Sequence, residues 1–326
     1  MRLTLRAVLL AVLLALLTAG PALASDGGLA PVAPHSPNAA AIRDTYWLIL
    51  GITGVIFVLV EGTLVVFVVR YRRGRRSRET DGAQVHGHTR MEIVWTVVPV
   101  MIVAAIIGFV FAKLPDVQDV PPASAADSLS VKVEAHQFYW MFTYPNGAVS
   151  IDTMEVPVGK VVTLTVVAAD VVHGWWIPSL GGQIDAIPGR TNHTWFRAPT
   201  TPGTFTGQCS QLCGVFHAKM FAAVKVVPEA TYQAFVASHA VGSQAVAAQS
   251  YVGVCSKCHG MNGVGDYGPA LQGRTFDTGD ITLLLRQGRT TSLGHMPAVG
   301  SDWSNAQITA MIAYLRKIKG GSALGG

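Results

Sequence analysis

The sequence has few charged residues, which make up 13% of its 326 residues, where a soluble domain has about a quarter. Hydrophobic residues make up 50% of the chain. This composition argues against an ordinary soluble protein and points to the membrane. Cysteine is scarce too: the chain has four, and none of them lies at the end of the apolar N-terminal run. A lipid-anchored lipoprotein, which needs a cysteine there, is therefore disfavoured. The sequence also shows no internal repeat.

The N-terminus, "MRLTLRAVLLAVLLALLTAGPALAS", combines two arginines with an apolar run that ends in Ala22-Leu23-Ala24. This order predicts a secretory signal peptide, residues 1–24, that is cut after Ala24. A retained membrane anchor is the alternative. It fits less well because the apolar run is short and ends in small residues.

Two further apolar runs, about residues 47–69 and 93–112, are long enough to cross a bilayer as helices. Between them, residues 70–90 hold seven arginines against one Glu and one Asp. The positive-inside rule predicts that this loop is cytoplasmic, so that everything after Lys113 faces outward. The net charge of +5 then reflects membrane topology, and no nucleic-acid partner is expected.

The outward part divides into three segments. Residues 114–230 begin with a Pro- and Asp-containing linker and continue with β-branched runs between turn signals, a pattern typical of an antiparallel sandwich or barrel. Residues 231–250 are expected to hold a short helix, "PEATYQAFVASHA", and then a small-residue tether, "VGSQAVAAQS". Residues 251–326 have glycine-rich loops and end in a helical pattern.

The last segment carries a C-x-x-C-H motif, "CSKCHG", at residues 255–260. Cys255 and Cys258 at this spacing can form thioether bonds to the vinyl groups of a haem, with His259 beneath the iron. A disulfide or a chance match is the alternative. Met296 lies 37 residues after His259 and is followed by a proline, and it is the expected second axial ligand. The adjacent His295 is the alternative.

Two other methionines are set aside as iron ligands. Met261 is too close in sequence to His259 to reach the opposite face of a haem, and Met311 is expected to pack in a helix. The segment as a whole resembles a class I cytochrome c over about 70 residues, with an all-α fold.

The other two cysteines lie in "GQCSQLCGVFHAKM", residues 207–220. In an oxidising compartment, a disulfide between Cys209 and Cys213 is one interpretation, and a zinc site is another. His217, Met220 and the distant His173 favour copper, because thiolate, thioether and imidazole together select that metal. Two cysteines in one loop can also bridge two copper ions, so a binuclear copper site is the favoured prediction.

The two spans, the β-rich segment and the cysteine loop together resemble cytochrome c oxidase subunit II, in the subset with a cytochrome c fused at the C-terminus (caa-type oxidases). The resemblance implies a cupredoxin fold for residues 114–230. It also implies the ligands of the copper centre called CuA: His173, Cys209, Cys213, His217, Met220 and the backbone carbonyl of Gln211.

Two positions depart from the family. Gln211 stands where a glutamate usually helps to hold magnesium, and an amide is a poorer ligand for a hard cation, so magnesium is not claimed. Phe138 stands where a tryptophan usually receives the electron, although Tyr139 and Trp140 match the family's electron-entry strip. Glu92, at the cytoplasmic start of the second span, matches a glutamate at the mouth of a proton path. An ordinary interfacial carboxylate is the alternative for Glu92.

The resemblance implies an electron-entry subunit without catalytic residues of its own. It would accept electrons at haem c from cytochrome c or a cytochrome bc complex. They would pass through the copper centre to subunit I, which reduces oxygen to water with proton pumping. The expected partners are subunit I and the other oxidase subunits. The expected location is a bacterial inner membrane, with the copper and haem domains on the periplasmic side.

The two outward domains differ in net charge. Residues 114–230 hold six Lys/Arg and nine Asp/Glu, a net charge of −3, whereas residues 250–326 hold seven and four, a net charge of +3. Opposite charges and a short connection favour docking of the two domains on each other.

Overall fold

The computed structural model describes residues 31–71, 84, 86–291 and 294–318. The expected signal peptide and most of the arginine-rich loop lie outside the described residues. The described chain forms two compact units, one of residues 40–119 and one of residues 32–39 and 120–318.

The first unit is built on two long helices, α1 (Pro37–Tyr71) and α2 (Thr89–Gln118). Their mean hydropathy reaches 2.5 and 2.7, and each is long and apolar enough to cross a membrane. Both helices extend beyond the apolar runs from which they were predicted, because polar residues at the ends continue the helical hydrogen bonding.

The start of α2 is closed by a reciprocal cap. The Glu92 carboxylate accepts a hydrogen bond from the backbone N–H of His88 (3.0 Å), and the His88 ring Nδ1 accepts one from the backbone N–H of Met91 (3.2 Å). Such a pair satisfies two backbone donors that a helix start leaves without partners. Glu92 therefore caps the start of this helix. Its position at the mouth of a proton path stays a prediction.

The second unit begins with a β domain of ten strands within the described chain. A five-stranded sheet has the order β3-β2-β1-β5-β8, a three-stranded sheet has the order β4-β10-β9, and β6 pairs with β7. The strands are β1 (Ser128–His136), β2 (Tyr139–Thr143), β3 (Val149–Ile151), β4 (Thr153–Pro157), β5 (Val161–Ala168), β6 (His173–Trp175), β7 (Ile184–Ala186), β8 (Asn192–Arg197), β9 (Gly203–Gln208) and β10 (Phe221–Val227).

The expectation of purely antiparallel pairing is wrong for two pairs of strands. β1 pairs with β5 in parallel, and β4 pairs with β10 in parallel. A parallel pair needs a long crossover connection, and here other strands of the domain supply it. Alternating apolar residues reveal strands but not which distant strand each one joins, so the sequence pattern could not predict these pairs.

One hydrophobic core draws side chains from both large sheets. It contains Trp140 and Phe142 of β2 together with Val224 of β10, all fully buried. Cys209, Cys213 and Met220 of the cysteine loop belong to the same core cluster. These three side chains therefore anchor the loop in the domain interior, whereas Leu212 and Val215 of the same loop are exposed.

The C-terminal domain is helical, with one short hairpin. Helix α3 (Glu229–Ser238) follows the last strand of the β domain and packs its buried residues Tyr232, Phe235 and Val236 in the core of that domain. The elements of the C-terminal domain are α4 (Gln244–Ser250), a π-helical turn (Tyr251–Cys255), α5 (Ser256–His259), α6 (Thr278–Gln287), β11 (Arg289–Thr291), β12 (Gly294–Met296) and α7 (Asn305–Ile318). Its core includes Trp303, Met311 and Leu315, and the cluster also takes in Tyr139 and Ile151 of the β domain.

Residues 241–250, which were predicted to be a small-residue tether, form a helix from Gln244 onward. The Ser243 hydroxyl caps α4 by accepting a hydrogen bond from the backbone N–H of Val246 (3.2 Å). Val246 and Ala247 are buried. The small residues that suggested flexibility are good helix formers, and they allow this helix to pack closely.

Candidate metal centres

The cysteine loop, residues 207–220, connects β9 to β10 and is held at its base by backbone hydrogen bonds. The N–H of Cys209 donates to the carbonyl of Met220 (2.9 Å), and the N–H of Ser210 donates to the carbonyl of Gly174 in β6 (3.0 Å). These bonds place both ends of the loop beside His173, the first residue of β6. A histidine distant in sequence is thereby brought to the two cysteines.

The loop gathers sulfur and nitrogen atoms around the Cys213 thiol. The Cys213 Sγ lies 3.9 Å from the Cys209 Sγ, 3.8 Å from the Met220 Sδ and 3.5 Å from the His217 Nδ1. The His173 Nδ1 lies 3.9 Å from the Cys209 Sγ. None of the four cysteines is paired in a disulfide, which would need two sulfurs about 2.05 Å apart.

Gln211 turns its two polar groups in different directions. Its backbone carbonyl lies 3.2 Å from the Cys209 Sγ, inside the cluster. Its side-chain amide donates a hydrogen bond to the Asp185 carboxylate (3.0 Å), away from the sulfurs. The carbonyl is therefore available beside the thiols, and the side chain serves to fix the loop.

His173 is fully buried and oriented by a carboxylate. Its Nε2 lies 2.8 Å from the Asp170 Oδ1. A carboxylate accepts, so Nε2 carries a proton, and Nδ1 is the ring nitrogen that faces the Cys209 thiol. Ligating histidines are commonly held in this way through the second ring nitrogen. The sequence analysis missed Asp170, although a carboxylate three residues before a candidate ligand could have indicated it.

The two thiols of the loop differ in acidity. Burial raises the pKa of Cys209, but hydrogen bonds from His173 and from the Gly174 backbone outweigh burial and bring the pKa down to about 6. Burial, together with the neighbouring Cys209, raises the pKa of Cys213 to about 12. A thiolate at Cys209 is thus stable at neutral pH, whereas a second thiolate at Cys213 would need a neighbouring cation to stabilise it.

The donor set of this cluster fits copper. The ligand atoms of His173, Cys209 and Cys213 lie within 4.8 Å of one another, and all three residues are buried. His217 and Met220 contribute a second imidazole and a thioether. Soft sulfur donors with imidazole select copper, whereas zinc has no use for the thioether.

The three residues of the aromatic strip point in different directions. The Trp140 ring lies edge-on to the His173 ring, with centroids 6.1 Å apart. The Tyr139 hydroxyl accepts a hydrogen bond from the Trp303 Nε1 in the C-terminal domain (3.2 Å), and the tyrosine is only 1% exposed. The Phe138 ring lies edge-on to the Phe216 ring at 5.5 Å. A role of these residues in electron transfer stays a prediction.

In the C-x-x-C-H segment, the structure orients the His259 ring. Its Nδ1 lies 2.7 Å from the Pro269 carbonyl, which can only accept, so Nδ1 carries the proton and Nε2 is free to bind iron. Gly268 packs against this ring: an added Cβ would lie 2.9 Å from it. Cys255 is buried and Cys258 is half-buried. The residues present therefore fit a haem attached beside His259.

The candidates for the second iron ligand occupy different environments. His295 is exposed, with its Nδ1 2.9 Å from the Thr290 hydroxyl, whereas Met296 packs against the core of the domain. Neighbouring strand residues point to opposite faces, which separates these two side chains. Met311 is fully buried in α7, and Met261 is largely exposed. This arrangement favours Met296 over its three competitors.

Three family models match successive parts of the chain. They are "Cytochrome C oxidase subunit II, transmembrane domain" over residues 28–112, "Cytochrome C oxidase subunit II, periplasmic domain" over residues 148–227 and "Cytochrome C oxidase, cbb3-type, subunit III" over residues 243–315. Cytochrome c oxidase subunit 2 of Alkalihalophilus pseudofirmus is 32% identical over 324 residues, which cover 90% of this chain and 92% of that one. The chain belongs to the cytochrome c oxidase subunit II family.

Other subunit II proteins are similar over a smaller part of the chain. Cytochrome c oxidase subunit 2 of Bacillus subtilis is 30% identical over 235 residues, 68% of this chain and 66% of that one. The crystal structure of the periplasmic domain of subunit II from Bradyrhizobium japonicum is 36% identical and covers 37% of this chain and 96% of that one, with a TM-score of 0.34.

Membership of this family confirms several predictions made from the sequence. The chain is a subunit of a cytochrome c oxidase, a haem-copper terminal oxidase, and its role is electron transfer. It is a membrane protein with two apolar helices, an extramembrane cupredoxin-like sandwich and a helical cytochrome c domain. The family implies copper, and the C-terminal domain implies haem.

Proposed function

We propose that this subunit II is the electron-entry subunit of its oxidase, with a binuclear copper centre in the cysteine loop and one covalent haem c in the C-terminal domain. Both groups, when bound, accept and release single electrons. The C-terminal domain would receive electrons from a cytochrome c or a cytochrome bc complex. The cysteine-loop site would deliver them to subunit I, which would reduce oxygen to water and pump protons. The two outward domains lie on the periplasmic side of a bacterial inner membrane.

The observation that carries this proposal is the convergence of the cysteine loop on His173. Cys209 and Cys213 supply two thiols 3.9 Å apart, which can bridge two metal ions. His173 and His217 each present Nδ1 to one of these thiols. Met220 and the carbonyl of Gln211 complete six donors for two copper ions.

Cys255 and Cys258 would hold the haem covalently, and His259 and Met296 would be its iron ligands. The Pro269 carbonyl holds the proton on Nδ1 of His259, so that the ring keeps one orientation and one tautomer. Histidine with methionine gives haem a raised potential, which suits a donor to an oxidase.

The proposal is tested on the full chain purified in detergent, by metal analysis and by electron paramagnetic resonance of the oxidised protein. We expect two copper ions per chain and a multi-line signal from one electron shared by two ions. Denaturing mass spectrometry should show one haem that stays bound to the chain. A four-line signal from a single copper, as in a copper carrier, would contradict the proposal.

A further inference from the structure

One lysine connects the C-x-x-C-H segment to the β domain. Lys257, which lies between Cys255 and Cys258, donates from its Nζ to the Asp152 Oδ2 (2.8 Å) and to the Phe138 carbonyl (2.6 Å). The Lys257 side chain is 14% exposed and that of Asp152 is 22% exposed. This ion pair is thus largely shielded from water and from salt.

Asp152 is held in position to receive this lysine. Its second carboxylate oxygen accepts a hydrogen bond from the backbone N–H of Trp140 (2.8 Å), and its backbone has a left-handed φ of 57°. Burial raises the pKa of this carboxyl, and Lys257 opposes that rise. Removing one member of such a pair leaves an uncompensated buried charge, which is strongly unfavourable.

Contacts on either side of the ion pair extend the same seam. The backbone N–H of Ile151 in β3 donates a hydrogen bond to the Gln249 side chain in α4 (3.2 Å). Gly253 allows the two surfaces to meet, because an added Cβ would lie 2.4 Å from the Ile151 Cγ2. The C-terminal domain therefore rests directly on the edge strand β3.

The seam also joins the two candidate centres. The Phe216 ring packs edge-on against the Tyr267 ring, with centroids 5.2 Å apart. Phe216 precedes His217 in the cysteine loop, and Tyr267 precedes Gly268, which packs on the His259 ring. Two aromatic rings in contact thus connect the residues next to one candidate copper ligand and one candidate iron ligand.

We propose that Lys257 and Asp152 form a clamp that keeps the C-x-x-C-H segment docked on the β domain, so that the contact between Tyr267 and Phe216 is a standing feature of the protein rather than a transient encounter. Both are positioning residues. The importance of this contact for electron transfer rests on the proposed function, whereas the docking itself does not.

The test is hydrogen exchange, followed by mass spectrometry, on the full chain in detergent. Asp152→Asn removes the charge, keeps an acceptor for Trp140 and suits a left-handed φ, and it leaves the C-x-x-C-H segment unchanged. Lys257→Met removes the other partner. We expect exchange of the Ile151 amide to become at least about tenfold faster in both variants, because its acceptor, the Gln249 side chain, lies across the seam. The Val149 amide, whose acceptor is the carbonyl of His239 at the end of α3, should change little.

The matched control is Lys225→Met, which breaks an ion pair of similar length, 2.9 Å to Glu155, inside the β domain, where the lysine is about half exposed. It should leave exchange at Val149 and Ile151 unchanged, and residues 161–168 of β5 should be unaffected in every variant. The double variant Asp152→Asn with Lys257→Met should exchange no faster than the faster single variant. Unchanged exchange in the single variants, or effects that simply add, would overturn the clamp.

A second measurement separates this inference from the proposed function. After flash reduction of the haem, the rate of electron arrival at copper should fall at least tenfold in the clamp variants, with unchanged copper and haem spectra. Absence of a two-copper signal in the wild type would refute the proposed function. The hydrogen-exchange result would still support or refute the clamp, because it does not depend on bound copper. Intact spectra with an unchanged transfer rate would refute the clamp alone.

Discussion

The cysteine loop and the C-x-x-C-H segment reach their candidate ligands by different means. The loop places its sulfurs beside His173, which lies 36 residues before Cys209. The surrounding sheets bury this cluster, so that His173 and Met220 are 0% exposed and the two cysteines are less than 5% exposed. The C-x-x-C-H segment holds three of its groups within five residues of one turn, and Met296 comes from a separate hairpin. Each candidate centre thus takes most of its ligands from one short segment and one ligand from a distant element. They differ in that the surrounding sheets fix the cysteine loop, whereas a single helical turn holds the C-x-x-C-H groups.

The largest expected effect is at a thiol of the loop. Cys213→Ser removes the sulfur that lies nearest to Cys209, His217 and Met220, so no bridged pair of copper ions can form. We expect the multi-line resonance to disappear and oxidase activity to fall at least about 100-fold. Met154→Leu, a fully buried change in the same core, is the control and should retain two copper ions. A Cys213→Ser protein with an unaltered signal would refute the bridging role.

The next largest effect separates the haem ligands. Met296→Leu should leave the haem covalently attached, because the thioether bonds involve Cys255 and Cys258. It should lower the haem potential by a sizeable part of the roughly 0.8 V range that axial ligands control. Met311→Leu, a buried change in α7, should leave the potential unchanged. If His295→Ala and not Met296→Leu lowers the potential, histidine is the ligand.

A smaller effect is expected from the carboxylate behind His173. Asp170→Asn keeps the shape of the side chain but weakens its hold on the His173 Nε2–H, so copper affinity should fall about 10- to 100-fold. Titration with a copper chelator measures this change. Asp127→Asn, an exposed substitution in the same domain, should have no effect. Equal chelator resistance of wild type and Asp170→Asn would show that the tertiary fold alone orients His173.

The smallest expected effect concerns salt. Transfer from haem to copper inside the chain should depend less on ionic strength than capture of electrons from an external cytochrome c, because the contact between the domains includes a shielded ion pair. Stopped-flow and flash kinetics at several salt concentrations measure the two steps. Equal salt slopes for both steps would contradict a docked C-terminal domain.

The comparison also shows what a sequence can predict. The spacing of Cys209, Cys213, His217 and Met220 was sufficient to propose a metal site, because these residues share one loop. The orientation of each ring was not predictable, since it depends on Asp170 and Pro269 through hydrogen bonds that spacing does not encode. The parallel strand pairs and the helix over Gln244–Ser250 were missed because they depend on packing between distant segments.

The clamp is another feature that the sequence could not reveal. Lys257 is a variable position inside the C-x-x-C-H pattern, and Asp152 lies in a turn between two strands more than 100 residues earlier. Net charges of −3 and +3 suggested that the two domains attract each other. They did not indicate that one ion pair, placed beside the haem-attachment cysteines, holds the contact.

The central claim, that Cys209 and Cys213 together bridge two copper ions, is tested most directly by X-ray absorption at the copper edge of the oxidised chain. The account predicts two sulfur neighbours from cysteine for each copper ion and a second copper ion as a close neighbour. One cysteine sulfur per copper, with no second copper nearby, would contradict it.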